Sequence, residues 1–191
     1  MLCAGGDLSV PRLVNAYRHG IFPWFSEGEP ILWWSPDPRL VLEPSSFKFR
    51  RSLKQAIRSQ RFEVRVNSAF DQILHLCAYH RPEGTWITDE MQSAYEALNA
   101  AGYGFSAETW VDDVLVGGLY GVKIGDMLFG ESMVSLVANA SKAALAEICT
   151  NADLYQIKLI DCQVPTSHLQ SLGASLIPRS EFLTRVQQYT L

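Results

Sequence analysis

Three residues in one apolar run, Asp161-Cys162-Gln163, hold the densest chemical potential in this sequence. The flanking Leu159, Ile160 and Val164 read as a strand. In a regular strand residues two apart share a face, so Asp161 and Gln163 would project together and Cys162 away from them. A carboxylate and an amide side by side are costly to bury without partners. They therefore either bond nearby loop backbone or form part of a site, and the pattern alone divides evenly between the two. A second carboxylate, Glu131, sits in Gly130-Glu131-Ser132-Met133, where a solvated strand end is the plainer reading. Trp24 and Trp86 are the tryptophans placed to stack on a base, against ordinary core burial as the alternative. Arg50, Arg51, Lys54, Arg58 and Arg61 form the one dense basic run. Arg51, Lys54 and Arg58 follow helical spacing, so one face could track phosphates or simply face water.

Composition narrows what these groups can serve. The 191 residues carry a net charge of −4, so any nucleic-acid contact must be a local patch rather than a bulk attraction. The hydrophobic share of 48% is enough to build a core. Cys3, Cys77, Cys149 and Cys162 form no C-x-x-C pair, which fits reduced thiols in a cytoplasmic protein. His19, His75, His80 and His168 make no metal-binding motif, and no apolar run reaches membrane-spanning length, so neither a metal nor a membrane is expected. Nucleophile-elbow, phosphate-loop and dinucleotide-binding motifs are absent. The opening Met1-Leu2-Cys3-Ala4-Gly5-Gly6 gives little lead-in, consistent with a shortened start or a piece of a longer protein.

The positioning elements follow from period and punctuation. A first helix spans 9–20, with Ser9 as cap, Pro11 in its first turn and Gly20 as its stop. The proline- and aromatic-rich stretch through Arg39 reads as irregular. Strands are expected at 40–42 and 62–66, with helices at 51–60, 68–78 (capped by Ser68) and 88–101. Residues 105–132 read as an antiparallel meander with turns at Asp112-Asp113 and Gly125-Asp126. Gly117-Gly118 within it marks a close backbone approach or a bulge. An alanine-rich helix, the 158–164 strand, and two short helices begun by Ser167 and Ser180 complete the chain. This order is α+β, a mixed sheet flanked by helices similar to the GNAT acyltransferase fold.

Ten strings, in order, resemble the bacterial leucyl/phenylalanyl-tRNA–protein transferase family: GGDLS, GIFPWF, WWSPDPR, RSLK, GTWIT, LVGGLYGV, GESM, NASK, IDCQ and SLGA. Each is weak alone; the set spans nearly the whole chain. The resemblance implies a small N-terminal domain over residues 1–37 and a GNAT-like catalytic domain over 38–191. It implies an aminoacyl-tRNA carrying Leu or Phe as donor and a protein with N-terminal Arg or Lys as acceptor. The product would be marked for N-degron proteolysis, with no cofactor or metal. Asp161 and Gln163 match the catalytic pair, Glu131 the carboxylate at the acceptor, Trp24 and Trp86 the tryptophans near the 3′ adenosine, and Arg50 to Arg61 the tRNA-binding region.

Three features depart from the family pattern. The stretch before GGDLS is short, Phe105 stands where histidine is common, and Val134 stands where phenylalanine is usual. The last two are expected to alter the pocket or its rim. The expected chemistry is attack of a neutral amine on an activated ester, with Gln163 orienting the amine and Asp161 polarising Gln163 or accepting the proton through it. Other readings compete: a GNAT-type N-acyltransferase using acyl-CoA or a cell-wall aminoacyltransferase, and a non-catalytic RNA-binding module.

Overall fold

The computed structural model describes residues 1–59, 62–80 and 85–191, with only the backbone of Ser52. Its first elements are β1 (Cys3–Ala4), α1 (Val10–Arg18), β2 (Phe22–Pro23) and β3 (Leu32–Trp34). The segment expected to be irregular thus holds a small antiparallel sheet, ordered β1-β3-β2. Strands this short carry too few residues for a period to register. Pro11 occupies the first turn of α1, which buries Leu13, Val14, Ala16 and Tyr17. Gly20 stops the helix at φ +68, where an added Cβ would strike Phe182 and Leu183.

The main sheet has seven strands: β4 (Arg39–Leu42), β5 (Glu63–Val66), β6 (Gly104–Val111), β7 (Val114–Ile124), β8 (Met127–Ser135), β9 (Leu159–Gln163) and β10 (Ser175–Ile177). Their spatial order is β10-β4-β9-β8-β7-β6-β5. Every neighbouring pair is antiparallel except β8 and β9. That parallel pair needs a crossover, which α5 (Ala140–Thr150) supplies. The other helices are α2 (Arg51–Ser59), α3 (Phe70–Tyr79), α4 (Asp89–Ala100), α6 (Ser167–Ser171) and α7 (Arg179–Tyr189). The result is the expected α+β mixed sheet flanked by helices.

Strand alternation sorts the core onto two faces. Tyr120 and Phe129 join a cluster with side chains from α1, α3, α4 and α7, together with Phe22 and Trp33. Their neighbours Leu119 and Leu128 join a second cluster with Leu145 and Ile148 of α5. A Cβ at Gly117 would lie 2.5 Å from the Val134 carbonyl and 2.7 Å from Ala140 Cβ, so bare backbone there lets α5 approach the sheet. The register also shifts between Thr109 and Trp110 opposite this strand, so both readings of the glycine pair apply.

Several caps differ from expectation. Ser68 does not cap α3; its hydroxyl donates to buried Glu108, which also accepts the Ala69 N–H at that helix start. Thr166 rather than Ser167 caps α6, accepting from the Leu169 N–H at 3.2 Å. Pro178, not Ser180, precedes α7. At α3 and α7 a distant carboxylate, Glu108 or Asp37, accepts from the helix start, and at α6 the adjacent Thr166 does, which local sequence does not distinguish.

Candidate active site

The parallel register between β8 and β9 is short. It pairs Met127 with Leu159, Leu128 with Ile160 and Phe129 with Asp161, while β8 continues to Ser135. Where pairing stops, a cavity of about 340 Å³ opens. Its walls include Glu131 and Met133 from β8, Asp161 and Gln163 from β9, and Trp24 and Trp86. Leu119, Leu128, Leu145 and Ile160 add an apolar surface.

The β9 end is not a regular strand. Leu40 and Val41 of β4 face Gln163 and Asp161, so Cys162 is an extra residue in the ladder. Gln163 takes a left-handed φ of +62. The bulge breaks the alternation expected of Asp161-Cys162-Gln163, and all three residues line the cavity. Burial pushes the Cys162 thiol well above the usual thiol range, so it is not a thiolate nucleophile near neutral pH.

Asp161 is fully buried and paired with equally buried Arg39. Arg39 Nε donates to Oδ1 at 2.8 Å and Nη2 to Oδ2 at 2.6 Å, a bidentate fork. The guanidinium is sandwiched by the Phe22 and Phe182 rings, 4.8 and 4.5 Å from their centroids. Asp161 Oδ1 also accepts the main-chain N–H of Gln163 at 2.9 Å. The expected contact between Asp161 and the Gln163 side chain is therefore replaced by one to its backbone.

The Gln163 side chain turns instead to Glu131, its Nε2 donating to Oε1 at 3.1 Å. Glu131 does not face bulk solvent. Tyr17 donates to its Oε1 at 2.8 Å and Tyr95 to its Oε2 at 2.6 Å. Burial raises the Glu131 carboxyl to about 8, against the lowering effect of the two tyrosine hydroxyls. Arg39, Tyr17 and Tyr95 were not singled out from sequence. An Arg opening a wholly apolar strand and an Asp inside another are complementary, and that match was the available signal for Arg39. Nothing local marks a buried tyrosine as a carboxylate partner.

Trp24, 45% exposed, stands at the cavity with its carbonyl accepting from Trp34 Nε1 at 2.7 Å. Trp86 is half-buried on the same cavity. Phe105 and Val134 are buried and neither lines the cavity. Phe105 instead packs in the cluster beneath Leu119, Leu128 and Leu145. Arg50, Arg51, Lys54 and Arg58 are exposed on and just before α2. None of these four lines the cavity or forms an ion pair among the described residues. Arg61 lies outside the described residues. Among the described residues no cluster of His, Cys, Asp and Glu could hold a metal, and no helix is long and apolar enough to cross a membrane.

Comparison with known proteins agrees across the chain. The family model described as leucyl/phenylalanyl-tRNA protein transferase matches residues 41–187, and the model of that family's N-terminal domain matches residues 6–37. A leucyl/phenylalanyl-tRNA–protein transferase from Methylococcus capsulatus is 53% identical over 192 residues, covering 100% of this chain and 82% of that protein. One from Syntrophus aciditrophicus is 52% identical, covering 98% and 80%. Among solved structures, a conserved protein of unknown function from Bacteroides thetaiotaomicron aligns with a TM-score of 0.53 at 12% identity. That alignment covers 71% of this chain and about half, 53%, of the other, and it speaks to fold alone. A GCN5-related N-acetyltransferase from Kribbella flavida aligns at a TM-score of 0.44 and 14% identity, over 85% of this chain and 58% of that one. The chain belongs to the leucyl/phenylalanyl-tRNA–protein transferase family.

Proposed function

We propose that this chain moves Leu or Phe from aminoacyl-tRNA onto the N-terminal Arg or Lys of acceptor proteins, in the cytoplasm, marking them for N-degron proteolysis. The observation that carries this reading is one cavity with an apolar wall and a wall bearing Glu131 and Gln163. The apolar wall suits an unbranched-at-Cβ aminoacyl side chain, and Cβ branching beside the ester would be penalised by shape. Trp24 and Trp86 would take the 3′ adenosine by stacking. The exposed basic face of α2 would contact tRNA phosphates. Residues 1–37 would act as a small N-terminal domain and 38–191 as a GNAT-like catalytic domain.

The reaction asks for alignment more than for activation. The donor is already an ester, and the acceptor amine must only be neutral when it attacks. Gln163 would orient that amine with its amide oxygen while its Nε2 stays on Glu131. Asp161 would act by fixing the backbone of Gln163 in its bulge. Glu131 would pair with the cationic acceptor terminus. No cofactor or metal enters this scheme. The test is transfer of labelled Leu, Phe and Val from their tRNAs to reporters beginning with Arg or Met. Leu and Phe on the Arg reporter alone is the expected result. Transfer from acyl-CoA, or tRNA binding with no transfer, would overturn the reading.

A further inference from the structure

Glu131 holds more partners than a simple counter-charge requires. Tyr17 reaches it from α1 and Tyr95 from α4, the two hydroxyls lying 3.3 Å apart. Both tyrosines are fully buried, and each ring is locked by packing: Tyr17 against Phe129 at 5.1 Å, Tyr95 against Tyr120 at 5.4 Å between centroids. Each carboxylate oxygen thus has a fixed donor, and Gln163 Nε2 adds a third on the cavity side. A carboxylate held this way cannot swing, and it presents its remaining lone pairs to the cavity. The charged groups around it are Asp161, which opposes its ionisation, and Arg39, which favours it. Those two are mutually paired, so neither supplies a free counter-ion.

We infer that Tyr17 and Tyr95 are positioning residues that clamp Glu131, and that Glu131 so held takes a proton from the acceptor's α-ammonium group. This rests on the transfer reading above. One N–H bond of the ammonium breaks, its electron pair stays on nitrogen, and the proton passes to a Glu131 oxygen. The neutral amine then attacks the ester carbonyl, forming the C–N bond. The C–O bond to the ribose breaks, and the ribose oxygen takes the second proton from nitrogen. Glu131 returns its proton to solvent. Burial supports the role, because a carboxyl titrating at about 8 is matched to an α-amino group whose ordinary value is ~8.

The decisive variants are Tyr17→Phe and Tyr95→Phe, which keep the rings and delete the donors. The hydroxyls favour the ionised carboxyl, so their loss raises its titration point. Single-turnover transfer from Phe-tRNA to an Arg-initiated peptide, followed across pH, should show the rising limb moved alkaline by about one pH unit in each variant. Rates should fall about 10-fold at pH 7 and return near wild type at pH 9. Loss by the same factor at every pH would mean a merely structural role and overturn the inference. Infrared titration of the unliganded protein gives an independent readout. A carboxylic-acid band absent in Glu131→Gln should titrate near neutrality in wild type and higher in Tyr95→Phe. The same band position and midpoint in both would also overturn it. Absence of any transfer by wild type would count against the transfer reading instead, leaving the infrared titration to decide the clamp.

Discussion

Asp161 and Glu131 stand on one cavity in opposite electrostatic settings. Asp161 is fully buried and held by a bidentate Arg39. Glu131 is held by neutral donors and is drawn toward its protonated form, chiefly by burial and also by the nearby Asp161 charge. A buried carboxylate gripped by a bidentate guanidinium is fixed in place, while one held only by neutral donors keeps lone pairs open to a proton. On the proposed reading, Asp161 serves shape and Glu131 proton traffic.

The largest effect should come from breaking the pair. Arg39→Met leaves an uncompensated buried carboxylate and should destabilise the fold by about 3–5 kcal/mol, read by denaturant unfolding. Arg39→Met combined with Asp161→Leu should regain most of that stability, because paired apolar replacements avoid the desolvation penalty. The double variant should remain inactive, since Gln163 then lacks the acceptor for its main-chain N–H. An active double variant would remove Asp161 from the account.

Next in size is the effect on turnover. Asp161→Ala and Gln163→Ala should each lower transfer by roughly 100-fold while leaving tRNA binding near normal. Wild-type turnover at both positions would dissolve the site.

Glu131→Gln should lower transfer and raise stability, in a way that depends on pH. The folded carboxyl titrates at about 8 against an ordinary 4.5. The folded state therefore holds the proton more tightly. Wild-type stability from this group is complete below the unfolded value and is lost as pH climbs from about 4.5 toward 8. The neutral variant has no such loss. Its advantage should grow across that window, read as a widening gap in melting temperature between about pH 5 and pH 8. A stability gap flat with pH would show that Glu131 is not drawn toward its protonated form.

The sequence made part of this legible. The period and turn signals gave the meander β6 to β8 and the helices α3 to α5, because long elements repeat their burial pattern many times. Asp161, Gln163 and Glu131 were visible as polar residues in apolar strands. Their joint placement was not, because it depends on β8 and β9 pairing in parallel through α5. The bulge at Cys162 was invisible, since it arises from register against β4. Tyr17 lies on the buried face of α1, and a burial pattern says nothing of where a hydroxyl points. The β1, β2, β3 and β10 strands are two or three residues long and carry no period to read.

The smallest effects belong to the periphery and sharpen the contrast between cavity and surface. Trp86→Ala should weaken binding of aminoacyl-adenosine analogues by about 1 kcal/mol with an unchanged salt slope. Arg51→Ala with Lys54→Ala should weaken tRNA binding alike for Leu and Phe and flatten the log–log salt slope by about one to two. Identical slopes would make the face of α2 a solvated surface.

The most direct measurement is a structure with a non-hydrolysable aminoacyl-adenosine analogue and an Arg-initiated peptide bound together. The account predicts the aminoacyl side chain against Leu119, Leu128 and Leu145, with the peptide's terminal nitrogen about 2.6–3.2 Å from a Glu131 oxygen and the Arg39–Asp161 pair intact. A terminal nitrogen seated on Asp161, with that pair opened, would contradict it.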